Sequence, residues 1–213
     1  MSNNREIANL LLKLNAVQLN PSSPFTYSSG IQSPIYCDNR VTISHPKARN
    51  TIINAFIKEI KSSHCEFDYV AGTATAGIPH AAWIAHELEK PLIYVRSSPK
   101  KHGKGNIIEG DTSLGHSSIL IEDLVSGGGS AISAANALKA QGINTTHCFT
   151  IFSYQLEKSK QAFLKHQLEC HPLCHLDLLL DEALASNLVS PKEMELIVRW
   201  QQSPEKWLDH ETS

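Results

Sequence analysis

Residues Ile119 to Ser130 read I-L-I-E-D-L-V-S-G-G-G-S. An apolar run ends in two adjacent carboxylates, Glu122 and Asp123. Ser126, Gly127, Gly128, Gly129 and Ser130 follow, and then a helical pattern begins. Consecutive glycines let backbone N–H groups turn inward as an anion nest, and the helix N-terminus adds partial positive charge. The loop is therefore a candidate phosphate cup. Two carboxylates beside it repel a bare phosphate, so the ligand must bring them hydroxyl groups. Acidic residues accept hydrogen bonds from ribose hydroxyls in dinucleotide folds. A ribose 5-phosphate meets both demands, with its phosphate in the glycines and its 2′- and 3′-hydroxyls on the acids. A Walker A loop needs a lysine that is absent here. The dinucleotide fingerprint fails too, because Ile132 stands in its last glycine position. The plain alternative is a glycine-rich turn beside two solvated acids.

A second stretch concentrates charge. Arg96, Lys100, Lys101, His102 and Lys104 lie within nine residues with no acid among them, in a chain of net charge −2. Gly103 and Gly105 give that segment hinge freedom. A solvated basic loop is the competing reading. A third stretch offers metal-ligand types: His166, Cys170, His171, Cys174 and His175. Its C-x-x-x-C spacing matches no strong zinc signature and no second ligand pair follows. It reads instead as a helix end, a turn at Pro172 and a half-buried strand.

The elements that must position these residues alternate. Arg5 to Val17 carries a helical apolar stripe, and Pro21 to Arg40 reads as loop and short strand. His45-Pro46 opens a helix running to about Ser62. Then come strand F-D-Y-V-A, helix G-I-P-H-A-A-W-I-A-H-E-L-E, and strands P-L-I-Y-V and S-I-L-I-E-D. Helix S-A-I-S-A-A-N-A-L-K-A-Q, closed by Gly142, and strand T-H-C-F-T-I-F follow. Such alternation predicts parallel strands with crossover helices on both faces. The tail S-P-K-E-M-E-L-I-V-R-W opens with a capping box, Ser190 with Glu193.

The bulk numbers narrow the class. A length of 213 residues suits one α/β domain. With 41% hydrophobic residues and no apolar run near the about 20 that a membrane span needs, a membrane protein is not expected. The near-neutral charge gives no pull toward nucleic acid. The N-terminus lacks a signal-peptide pattern, and five cysteines without a framework spacing suit a reducing compartment. A cytoplasmic protein is expected.

The 119–130 stretch resembles the phosphoribosyl-pyrophosphate (PRPP) motif of type I phosphoribosyltransferases. Phe25 to Arg40, F-T-Y-S-S-G-I-Q-S-P-I-Y-C-D-N-R, is similar to the N-terminal signature of the orotate phosphoribosyltransferases. Tyr94 to Gly110 resembles their mobile catalytic loop, and Ala71 to Ala81, A-G-T-A-T-A-G-I-P-H-A, their pyrophosphate loop. The four motifs occur in family order. The resemblance implies the type I fold, a mostly parallel sheet flanked by helices under a small N-terminal hood. It implies a single domain over 1–213, with the hood from roughly 1–40 plus part of the C-terminal region, and the core roughly 41–170.

The implied reaction moves ribose 5-phosphate from PRPP to orotate, with Mg²⁺ held mainly by PRPP and water. By resemblance Arg96, Lys100 and His102 bind pyrophosphate, Lys100 holds the catalytic position, and the lid reaches the neighbouring subunit of a homodimer. Lys101 and the backbone of Thr73, Ala74 and Thr75 join the PRPP site, and Asp123 belongs with the catalytic set. Tyr36, Cys37 and Ser126 should face orotate. Arg40 is expected either to pair the orotate carboxylate or to form an ion pair near Asp38. The chain departs from the family at Ser28, at Ser97, Ser98 and Pro99 in the lid, and at Tyr154, where many members carry arginine. A type I transferase for another base and a non-catalytic PRPP-binding regulator remain alternatives. A fused decarboxylase is not expected.

Overall fold

The computed structural model describes residues 3–26, 30–98 and 107–208. The chain opens with α1 (Asn3–Lys13), β1 (Val17–Leu19), β2 (Phe25–Thr26), β3 (Gln32–Ser33) and β4 (Ile35–Cys37). A 3-10 helix (Asn39–Ser44) leads into α2 (Pro46–Ser62). Then come β5 (Tyr69–Thr73), α3 (Gly77–Glu87), β6 (Leu92–Val95), β7 (Ile108–Glu109) and β8 (Ser117–Val125). The rest is α4 (Gly129–Ala140), β9 (Asn144–Ser153), α5 (Glu157–Lys165), β10 (Glu169–His175), α6 (Leu176–Ala185) and α7 (Pro191–Gln202).

Six strands form the main sheet in the order β10-β9-β8-β5-β6-β7, parallel except for the antiparallel β6–β7 pair. The apolar runs seen in the sequence are its central strands. Every residue of β5 is buried, as are five successive residues of β8, because helices cover both faces. Val70, Ile119, Ile121, Phe149 and Ile151 share one core with α1, α2, α3, α6 and α7. Tyr69, Ala71, Leu120 and Cys148 share the other with α4 and Phe163 of α5. Truncating a fully buried phenylalanine such as Phe149 to alanine costs about 3–5 kcal/mol.

The chain runs from β5 outward to β6, then returns to place β8 on the other side of β5. The strand order thus reverses between β5 and β8. Open parallel sheets bind ligands at such a switch point, beyond the strands' carboxyl ends. The turn Ala74–Ala76 and the loop Ser126–Gly128 both lie there.

The hood is built from two antiparallel ribbons, β1–β4 and β2–β3. The tail locks onto it, for Trp207 is buried and its indole N–H donates to the Gln32 carbonyl at 3.1 Å. The capping box on α7 forms as the sequence predicts, with the Glu193 amide donating to Ser190 Oγ and the Ser190 amide to Glu193 Oε2.

Two expectations are corrected. The first helix stops at Lys13 rather than Val17. Asn15 adopts a left-handed φ of 53°, and the Ala16 and Asn15 amides bond back to the Leu11 and Leu12 carbonyls. That Schellman ending frees Val17 to begin β1. Pro172 makes no turn. It lies inside β10, opposite Thr150, and an edge strand tolerates the missing N–H. Trp83 is only partly buried, sandwiched between His80 edge-on at 5.6 Å and the Arg49 guanidinium at 4.8 Å.

Candidate active site

Glu122 and Asp123 lie near the end of β8, facing the loop that caps α4. Glu122 is only 5% exposed. Its Oε2 accepts a very short hydrogen bond from the Ser130 hydroxyl, and its Oε1 accepts from the Asp123 amide at 3.1 Å. Burial pushes its pKa up, and the Ser130 hydrogen bond only partly opposes the rise. Burial raises Asp123 as well, opposed by hydrogen bonding from the Glu122 side chain and by the Arg40 charge. Two adjacent buried carboxyls resist double ionisation. Desolvation therefore raises the pair as a whole and favours a single proton held between Glu122 and Asp123.

Gly128 caps α4 with a left-handed φ of 80°, and a side chain there would come within 2.7 Å of the Phe163 ring. Gly127 and Gly129 face open space. Ser126, Gly127, Gly129 and Ser130 are exposed. The glycines thus present backbone N–H groups at a helix N-terminus, as an anion cup requires.

On the other side of the switch point, Thr73 ends β5. It is buried, and its hydroxyl has no hydrogen-bond partner among the described residues. Ala74 donates its amide to the Val95 carbonyl at 2.8 Å, and the Ala74–Thr75 peptide is cis. Thr75 is exposed. Gly77 starts α3 so close to β8 that a Cβ would collide with the Ile121 carbonyl. That approach draws the two ligand-facing turns together.

The basic loop hangs from a hairpin stem. Tyr94 pairs with Glu109 and Val95 with Ile108, and the Arg96 amide donates to the Ile107 carbonyl at 2.8 Å. The Arg96 guanidinium reaches Glu109 Oε1 at 3.3 Å and the Ser98 carbonyl at 3.2 Å. Lys100, Lys101, His102 and Lys104, with Ser28 and Pro99, lie outside the described residues.

The hood reaches the site through the 3-10 helix. Asn39 is buried and donates from Nδ2 to the Asp123 carbonyl at 2.7 Å. Its Oδ1 is buried and finds no hydrogen-bond partner among the described residues. The quoted signature contains Asn39, but no charge or spacing marks it out. Cys37 sits close enough for Asp123's charge to act on it. Burial first, and that charge second, hold its thiol well above its ordinary pKa, so it is not a reactive thiolate. Tyr36 is partly exposed and tilts against Phe25 at 5.7 Å. Arg40 forks onto Asp38 at 2.6 and 2.8 Å, the ion pair that was one of its two expected roles. Tyr154 is core, buried edge-on against Phe152 and Trp200.

The arrangement brings Asp123, the glycine cup, the Thr73–Gly77 turn, Arg96 and the hood to one edge of a parallel sheet. This is the fold of a type I phosphoribosyltransferase. No protein-family model matches the chain. Orotate phosphoribosyltransferase of Coxiella burnetii is 48% identical over 207 residues, spanning 97% of this chain and 99% of that relative. The Listeria monocytogenes protein of the same name is 46% identical over the same length. Among solved structures, Leishmania donovani UMP synthase aligns with TM-score 0.76 and 27% identity over 92% of this chain and 42% of its own. Orotate phosphoribosyltransferase of Aeropyrum pernix aligns with TM-score 0.70 and 24% identity over 83% of this chain and 98% of its own. The chain belongs to the orotate phosphoribosyltransferase family.

Proposed function

We propose that the chain transfers ribose 5-phosphate from PRPP to N1 of orotate, releasing pyrophosphate and forming orotidine 5′-monophosphate for pyrimidine synthesis. The observation that carries this reading is the placing of the adjacent carboxyls Glu122 and Asp123 beside the Gly127–Gly129 cup at the switch point. The two acids accept the ribose hydroxyls, with Glu122 held by the Ser130 hydroxyl and the Asp123 amide. Cup amides and the α4 N-terminus take the 5′-phosphate. The buried, unpartnered Thr73 hydroxyl and the Thr73–Gly77 turn face the diphosphate.

Breaking the C1–O bond builds negative charge on the leaving pyrophosphate. Arg96, Lys100, Lys101 and His102 neutralise it as the lid closes and excludes water. The lid closes over the neighbour's site in a homodimer. The hood contributes Tyr36 and Cys37 backbone groups to orotate and the loop after β8 contributes Ser126, with Asn39 fixing the hood to Asp123. The site's hard oxygen donors and substrate phosphates suit Mg²⁺, which takes few protein ligands. Glu122 and Asp123 would hold it through water, and when bound it supplies charge neutralisation on PRPP oxygens. We also read 1–213 as one domain, hood over core, because α1, α6 and α7 share a single apolar cluster. Five free cysteines fit a cytoplasmic location. Among the described residues, no helix is long and apolar enough to cross a membrane.

The test is turnover of the purified protein with Mg²⁺, PRPP and orotate, followed by the loss of orotate absorbance, beside a panel of other bases. Conversion of orotate alone is expected. PRPP binding without orotate turnover would overturn the reading in favour of a regulator, and preference for another base would overturn the substrate.

A further inference from the structure

Away from the catalytic edge, β9 and β10 bring together two histidines and a carboxylate. His147 pairs in register with Glu169, and His171 follows two residues on, on the same face. Their place is nearer the opening ends of the strands, whereas Glu122 pairs with Thr150 further along β9. Glu169 Oε2 lies 3.8 Å from His147 Nε2 and 3.6 Å from His171 Nε2, and all three ligand atoms fall within 4.8 Å of one another. Both imidazoles are mostly shielded, and Glu169 is free to swing, its side chain 70% exposed.

The outer nitrogens are already occupied. His147 Nδ1 hydrogen-bonds the Thr146 hydroxyl at 2.8 Å, and His171 Nδ1 faces Glu59 Oε1 of α2 at 3.9 Å. His171 Nε2 is screened from solvent and makes no hydrogen bond among the described residues. Histidines that bind metal are held in this way, one nitrogen on a carboxylate or hydroxyl and the other turned to the ion. Tetrahedral ligands about 2.0–2.2 Å from zinc stand roughly 3.3–3.6 Å apart. The two carboxylate–imidazole pairs need to contract by only a few tenths of an ångström, which the exposed Glu169 permits, and the two imidazoles, within 4.8 Å, by at most about 1.5 Å. Among the described residues this is the only such cluster, and it contains no cysteine. The metal-ligand types noted in the sequence, Cys170 and Cys174, are not part of it. Cys174 is instead buried in the core, and Cys170 packs against the opposite one.

We propose that His147, Glu169 and His171 form a binding site for a divalent first-row transition ion, Zn²⁺ above all, with water completing four-coordination. Two imidazole nitrogens and one carboxylate are a zinc donor set, and Mg²⁺ prefers oxygen alone. The ion would staple the edge strand β10, whose ladder Pro172 interrupts, to β9. The site lies outside the PRPP machinery, so its effect is on stability.

The full chain is titrated with ZnCl₂ by calorimetry, and its melting temperature is read with and without one equivalent. One ion per chain and a higher melting temperature are expected. His147→Gln and His171→Gln should each weaken binding by at least about tenfold to a hundredfold, since even orienting partners of a ligand matter that much. Orotate turnover should be unchanged. Glu169→Gln, at an exposed side chain, serves if the histidine variants fail to fold. Co²⁺ in place of zinc should show visible ligand-field absorption without a thiolate charge-transfer band. Absence of one-to-one binding, affinity untouched by all three variants, or a thiolate band would each overturn the proposal, as would simple stacking of the two imidazoles (centroids 5.3 Å apart) with no metal uptake.

Discussion

His80 offers a test of how α3 is held beneath the Ala74–Ala76 turn. It is fully buried, edge-on to Trp83 and tilted against Phe56, and neither ring nitrogen has a hydrogen-bond partner among the described residues. Burial lowers its pKa to about 4. In the unfolded chain a histidine titrates near about 6.5. Between those values the unfolded state binds the extra proton, so stability falls as pH drops through that window and levels off below it. The full loss is about 3 kcal/mol, at 1.36 kcal/mol per pKa unit, and about 2.5 kcal/mol of it is spent by pH 4.5. His80→Leu removes the titration and two unpaired ring nitrogens at nearly constant volume. Urea unfolding at fixed protein concentration should show the wild type losing about 2.5 kcal/mol more than the variant between pH 7 and pH 4.5. At pH 7 the variant should be at least as stable as the wild type, because unmade hydrogen bonds cost about 1–3 kcal/mol. Parallel pH profiles for the two proteins would refute the reasoning, because His80 would then have a proton or a partner in the folded state.

Lys100→Ala should lower kcat far more than it weakens orotate binding, since its proposed role is to place charge on the departing pyrophosphate. Steady-state kinetics with a direct orotate titration check this, and equal losses in both contradict it. Gly77→Ala forces a methyl into the Ile121 carbonyl and should cost about 1–3 kcal/mol with a raised KM for PRPP. An unchanged melting temperature contradicts that close approach.

The parallel sheet was legible because strands buried on both faces read as unbroken apolar runs, so V-A and S-I-L-I-E-D mark β5 and β8 within a few residues. The glycine cup was legible because the order strand, acids, glycines, helix is local in sequence. The burial of Glu122 against Ser130 was not. It appears only when α4 folds back onto β8. Asn39 was equally hidden, since its partner is 84 positions away. The 166–175 stretch misled in the opposite sense. Its ligand-type residues and Pro172 suggest a turn, but alternate positions of β10 point to opposite faces, so His171 meets His147 while Cys170 faces the other core. α6, L-D-L-L-L-D-E-A-L-A, follows it directly, and its apolar residues fill the core shared with α1.

In the proposed reaction Asp123 is a carboxylate that holds the sugar diol. Calorimetric titration of Mg²⁺-PRPP into the wild type and Asp123→Asn, without orotate, measures that contact alone. Loss of a charge-assisted hydrogen bond of about 1.5–3 kcal/mol predicts affinity down roughly tenfold to a hundredfold. PRPP affinity equal in the two proteins would contradict it.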